Sequence, residues 1–190
     1  MPDVTALSTV NRRFFLKSGV VALLAGPTLA SAASPRSSTF SGLNERSLSF
    51  YNLHTSESLK TVYWQKGEYL PSSLAEIQRV LRDHRTGDEH EIHSELLDLL
   101  CDLRLRLDTR EPFQIISGFR SPATNAMLHA KSDGVATRSL HLDGKAVDIR
   151  IPGRALSLLR KTALSMKAGG VGYYPGSNFV HVDIGRVRSW

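Results

Sequence analysis

Apolar residues recur at every second position in some stretches of this chain and at every third or fourth in others. The switches between the two periods outline its elements. From Ser47 the pattern alternates through Leu48, Phe50 and Leu53, then through Leu59, Thr61 and Tyr63. This predicts a β-hairpin turning near His54-Thr55-Ser56-Glu57. Pro71-Ser72-Ser73 opens a helix in which Ser73 and Glu76 have capping-box spacing and Leu74, Ile77 and Leu81 share one face. A second helix runs from Ser94 to about Leu107, with Leu96, Leu97, Leu100 and Leu103 turned inward. Phe113 to Ser117 reads as a short strand leading into Gly118-Phe119-Arg120, and Ser121-Pro122 begins a third helix. Ala146–Ile151, Gly170–Tyr174 and Phe179–Ile184 read as strands. Leu156 to Lys167 is a fourth helix, stopped by Gly169-Gly170. The expected fold is α+β: a small antiparallel or mixed sheet flanked by helices.

The first residues do not belong to that domain. Asn11-Arg12-Arg13-Phe14-Phe15-Leu16-Lys17 resembles a twin-arginine export signal, an apolar stretch follows from Gly19 to Leu29, and Ala30-Ser31-Ala32 has the small-x-small form of a cleavage site. Residues 1–32 are therefore expected to be a signal peptide, 33–45 a flexible Ser-rich lead-in, and 46–190 the working domain. The apolar stretch is shorter than the roughly 20 residues a spanning helix needs, and no later one is longer. The expectation is a protein exported folded to the periplasm, with no stable membrane span after signal removal. Losing Arg12, Arg13, Lys17 and Asp3 leaves 21 basic and 17 acidic residues, a net charge of +4. That balance suits an anionic polymer such as peptidoglycan. No basic helix or aromatic-basic interleaving points to nucleic acid. Cys101 is the single cysteine; it lies in the leucine-rich second helix and reads as a small buried apolar residue rather than a nucleophile.

The chemistry-bearing residues cluster in Ser139-Leu140-His141-Leu142-Asp143-Gly144-Lys145-Ala146-Val147-Asp148 and in Phe179-Val180-His181-Val182-Asp183. Period two puts Val147, Ile149 and Ile151 on one face of their strand and Asp148 on the other. It likewise separates Val180, Val182 and Ile184 from His181 and Asp183. If the two strands are neighbours, imidazole and carboxylate groups come together on one face. His141, Asp148 and His181 then make a three-ligand set suited to catalytic zinc, which keeps a fourth position open. Gly144 and the small Ala146 are expected to let the chain pass close to the metal.

The pattern Ser139-x-His141-x-x-Gly144-x-Ala146-x-Asp148, with His181 downstream, resembles the motif of the zinc D-Ala-D-Ala carboxypeptidases and related murein peptidases, whose fold the Hedgehog signalling domain shares. Ser117-Gly118-Phe119-Arg120-Ser121, Gly169-Gly170-Val171-Gly172-Tyr173-Tyr174-Pro175 and Asn178-Phe179-Val180-His181 bring it nearer to the murein endopeptidases of enteric bacteria. The likeness covers most of residues 46–190. It implies zinc as cofactor and peptidoglycan as partner, with peptide cross-links between diaminopimelate residues as substrate. A D-alanyl carboxypeptidase using the same site, or a non-catalytic zinc-containing wall-binding domain, are the alternatives.

Several relatives carry a histidine or glutamate just before the last metal histidine, where this chain has Asn178 and Phe179. Asp183, on the face of His181, is then the candidate general base, or else the group that orients His181. Arg120, in the matching Ser-Gly-Phe-Arg-Ser element, is the candidate for holding a carboxylate or a developing oxyanion. Ser139 is expected to fix the loop or the metal's surroundings. The segment Asp88-Glu89-His90-Glu91-Ile92-His93 lacks the second histidine of a zincin helix and reads as a solvated loop and helix start. His54, His84 and His129 have no ligand spacing, and Tyr173 and Tyr174 are expected either to line the groove or to pack in the core.

Overall fold

The computed structural model describes residue 40 and residues 42–131 and 136–190. The signal-peptide segment at 1–32 and most of the lead-in lie outside the described residues. β1 (Glu45–Asn52) and β2 (Ser58–Gln65) form the expected hairpin, in register from Glu45 opposite Gln65 to Tyr51 opposite Ser58. A two-residue β3 (Glu68–Tyr69) folds back onto β2. Then follow α1 (Pro71–Val80), α2 (Ser94–Arg106), β4 (Phe113–Ser117) and α3 (Pro122–Lys131). A 3-10 turn (Leu140–Asp143) leads into β5 (Ala146–Arg150), α4 (Leu156–Met166), β6 (Gly170–Tyr174), β7 (Phe179–Asp183) and β8 (Arg188–Ser189).

Among the described residues these strands make one mixed sheet in the order β3-β2-β1-β4-β5-β7-β6-β8. The fold is α+β, of the zinc D-Ala-D-Ala carboxypeptidase-like type. Two helix ends differ from expectation. α1 starts at Leu70–Pro71 with no side-chain cap, and Ser73 is buried inside its first turn. Pro71 already fixes the backbone for the first turn and lacks the donor that a cap would satisfy. α4 ends at Lys167, which takes the left-handed conformation at φ 49°, and Gly170 instead begins β6.

One face of the sheet is the core. Phe50 lies beside Phe113, Ile115 beside Ile149, and Ile149 beside Val180. Leu96, Leu97, Leu100 and Leu103 of α2 are fully buried, as expected from their spacing, and so is Cys101. Each such side chain contributes roughly 1.5–3 kcal/mol of burial free energy. The alternation that buries these residues turns the intervening ones to the opposite face. There Ser117, Asp148, His181 and Gly172 stand in register across β4, β5, β7 and β6.

Candidate metal centre and its cleft

His141 comes from the 3-10 turn rather than from a strand. The Ser139 hydroxyl caps that turn by accepting the His141 N–H at 3.4 Å. Gly144 closes it in the left-handed region at φ 62°, which favours glycine. A Cβ at Gly144 would collide with the Glu91 carbonyl oxygen, and the His93 N–H donates to the Gly144 carbonyl at 3.1 Å. The room that Gly144 leaves is therefore taken by residues 91–93, not by a metal. That segment, which reads as a solvated loop, braces the turn that carries His141, and its Ile92 is buried.

β5 and β7 are direct neighbours, with Asp148 opposite His181. The ligand-type atoms of His141, Asp148 and His181 converge, and all three residues are buried. His141 Nε2 lies 3.2 Å from His181 Nδ1 and 3.3 Å from Asp148 Oδ1, and His181 Nδ1 lies 2.9 Å from the same oxygen. The tautomers follow from the outer partners. His141 Nδ1 donates to the Gly118 carbonyl at 2.7 Å, which leaves Nε2 as a lone pair. His181 Nε2 donates to Asp183 Oδ2 at 3.0 Å, which leaves Nδ1 as a lone pair. Two lone pairs and a carboxylate oxygen thus face one point. Tetrahedral zinc with bonds of ~2.0–2.1 Å would set its ligand atoms about 3.3 Å apart, so the donor set fits the ion in number, chemistry and spacing.

Charge around this point is arranged to keep the carboxylates ionised. Burial opposes charge on Asp148, but His141 and His181 hold its carboxyl well below the usual range. Burial also opposes charge on His181, and the hydrogen bonds to Asp148 and Asp183 outweigh it and raise its pKa. Asp183 is fully buried, and both its oxygens are engaged. Oδ1 accepts from the N–H groups of Gly170 (2.9 Å) and Gly185 (2.8 Å) and from Arg188 (3.1 Å), while Oδ2 accepts from His181 and from Arg188 at 2.7 Å. Burial is again the opposing influence, and these donors hold Asp183 far below its ordinary pKa.

Arg120 is 9% exposed and reaches to 3.7 Å from Asp148 Oδ2. Its terminal nitrogens donate to Asn125 Oδ1 at 3.4 Å and Ser117 Oγ at 3.5 Å, and its Nε has no partner. Burial lowers its pKa, and Asp148 works in the other direction. Ser121 caps α3 by accepting the Thr124 N–H at 3.2 Å, and its own N–H donates to buried Asp83 at 2.9 Å, so Arg120 is held from both sides.

The three ligand-type residues lie on the floor of a cleft of about 650 Å³, which Arg120, Arg138, Ser139, Tyr174, Arg188 and Trp190 help to line. Tyr174 faces this cleft, whereas Tyr173 packs against the core beneath Arg160. His54 and His84 stack on each other at 3.7 Å, and His90 stacks on Phe119; neither they nor His93 or His129 join the cluster. Arg188 and Trp190 were not legible as site residues: they follow a tight turn after β7 and carry no motif spacing. The Gly172-Tyr173-Tyr174 run was the only available signal, because a glycine in a strand marks close approach by another group.

The family whose profile is described as peptidoglycan L,D-endopeptidase MepK matches residues 41–190. The protein of Escherichia coli named peptidoglycan L,D-endopeptidase MepK is 47% identical over 184 residues, covering 95% of this chain and 97% of its own. The protein of Shigella flexneri with the same name matches to the same extent. A relative from Haemophilus influenzae is 37% identical over 185 residues, covering 95% of both chains. With a match over the whole domain and this donor set at its centre, the chain belongs to the peptidoglycan L,D-endopeptidase MepK family of metal-dependent peptidases.

Proposed function

We propose that this protein is a zinc-dependent murein endopeptidase that hydrolyses peptide cross-links of peptidoglycan, those joining two diaminopimelate residues, in the periplasm after twin-arginine export. The observation that carries the reading is the convergence of His141 Nε2, His181 Nδ1 and Asp148 Oδ1 on one point at the floor of an open cleft, in a chain of this family. The printed names of the relatives support the choice of bond. Among the described residues no helix is long and apolar enough to cross a membrane.

His141, Asp148 and His181 would hold the ion, which when bound supplies Lewis-acid polarisation of the scissile carbonyl and a water acidic enough to attack near neutral pH. The chain's own groups prepare that site. The Gly118 carbonyl and Asp183 each keep a proton on the outer nitrogen of one imidazole, so the inner nitrogens stay unprotonated. Of the two roles open to Asp183, orienting His181 fits its position. With both oxygens filled and no exposed surface, it has no path to a proton in the cleft. Ser139 holds the turn beneath His141. Arg120, with an unpaired Nε beside Asp148, sets a positive charge where an oxyanion would develop.

The decisive experiment incubates the mature protein with purified cross-linked muropeptides, with and without chelator, and identifies the bond lost by mass spectrometry. Cleavage between diaminopimelate residues, abolished by chelation and restored by zinc, is the expected result. Release of terminal D-alanine alone would make it a carboxypeptidase. Zinc binding with no bond cleaved would make it a binding domain.

A further inference from the structure

The wall of the cleft beside His181 is built from residues that the metal does not need. Across the sheet face, the row Ser117–Asp148–His181 ends at Gly172, where a side chain is missing. Trp190 fills that gap: a Cβ on Gly172 would lie 2.7 Å from the indole. The indole is held on several sides. Its backbone N–H donates to the Val171 carbonyl at 3.2 Å, and its carbonyl accepts the Tyr173 N–H at 3.0 Å. Its Nε1–H donates to the Tyr174 hydroxyl at 2.6 Å, and the Arg188 guanidinium lies 4.8 Å from the ring centre. Yet Trp190 remains 47% exposed, with its ring centre 5.2 Å from that of His181. A large aromatic that is fixed in place and open to the cleft binds ligand at little cost in side-chain entropy.

Tyr174 is defined by the same contact. An indole N–H can only donate, so the phenol oxygen is the acceptor of that bond. Its own proton is then free for another partner, and no described residue takes it. The ring of Tyr174 is fixed by stacking on Phe179 at 4.5 Å, and both rings line the cleft.

We propose that Trp190 and Tyr174 form a substrate-positioning pair. The exposed indole face receives the methylene side chain of the cross-linked diamino acid next to the scissile bond, and the Tyr174 hydroxyl donates to a neighbouring peptide carbonyl. This deepens the endopeptidase reading and rests on it. The short hydrocarbon chain of a diamino acid matches an apolar plate, and the electron-rich ring face tolerates its ammonium end. No covalent step is involved: the pair acts by fixing the peptide over His141, Asp148 and His181.

The test has kinetic and binding arms. On a cross-linked muropeptide dimer, Trp190→Ala is expected to raise KM roughly tenfold with kcat changed less than about threefold, the pattern of lost uniform binding. Trp190→Phe and Tyr174→Phe each give a smaller rise. Their double variant shows less than the product of the two, because each removes one end of the same hydrogen bond. Melting temperatures within about 2 °C of wild type exclude a merely structural role. In the binding arm, the same dimer is titrated into the His141→Ala variant while indole emission is followed. A shift is expected that disappears when Trp190→Phe is added. If wild type cleaves the dimer while Trp190→Ala keeps both kinetic constants, the proposal is overturned. If wild type cleaves no muropeptide, the endopeptidase reading fails instead, and the emission titration alone decides: no shift with any muropeptide overturns the pair as well.

Discussion

β5 and β7 carry two kinds of buried residue on opposite faces, and the contrast shows what each face is for. Val147, Ile149, Val180 and Val182 face the core and need only shape and volume, because nothing polar on them requires a partner. Asp148, His181 and Asp183 alternate with them on the same strands and are just as buried, yet each is held at a fixed distance by named donors and acceptors. The apolar face stabilises the fold through many interchangeable contacts. The polar face stores a charge arrangement that is only satisfactory with a cation among His141, Asp148 and His181. Damage to the first should therefore appear in stability, and damage to the second in metal binding and turnover.

The sharpest break of that contrast is His141→Ala. Zinc uptake should be lost and activity should fall at least about 10³-fold, since Lewis acid and activated water disappear together. The fold should survive, because only the hydrogen bond to the Gly118 carbonyl is lost, worth about 1 kcal/mol. Circular dichroism beside a muropeptide assay checks both halves; a globally unfolded variant would place His141 in the scaffold. Leu100→Ala is the converse. Removing a fully buried side chain from α2 should cost about 2–5 kcal/mol, read by denaturant unfolding, with turnover per folded molecule unchanged. A lowered turnover would mean that the two faces are coupled. Asp183→Asn lies between them. It keeps the shape but strips Arg188 of its counter-ion and weakens the hold on His181. Zinc affinity should fall about 10–100-fold, measured by competition with a chelating dye.

The same contrast explains what was legible in the sequence. Period two separated the faces of β5 and β7 without any structure, and the spacing of the α2 leucines located the core. The metal cluster needed one further fact, that β5 and β7 are adjacent, which non-local pairing supplies and no local pattern does. Arg188 was beyond reach for a similar reason: it meets Asp183 only because the chain doubles back after β7. Gly144 was misread because its neighbour, the Glu91 carbonyl, is distant in sequence. Side chains that act along one strand or helix face can be read from spacing. Those that act across a turn or beside another backbone depend on where the chain returns.

Asp83 gives the smallest effect and separates scaffold charge from site charge. It is 2% exposed and accepts the N–H groups of Arg85 and Ser121 at 2.9 Å each, so it pins the start of α3 next to Arg120. Burial opposes its charge, but the bonds from Thr124, Arg85 and Ser121 hold its pKa well below the ordinary value. A carboxylate with a depressed folded pKa contributes stability that is present above its unfolded pKa, about 3.9, and is lost as pH falls towards the folded value. One such group adds at most about 1.4 kcal/mol per pH unit to the slope. Urea unfolding between pH 5 and about 2.5 should therefore show a shallower loss of stability for Asp83→Asn than for wild type. The donors to Asp83 are backbone and hydroxyl groups of the fold, so the difference should persist unchanged in chelator-treated protein. A difference that vanished on removing zinc would tie Asp83 to the metal site and erase the distinction between the two kinds of buried charge.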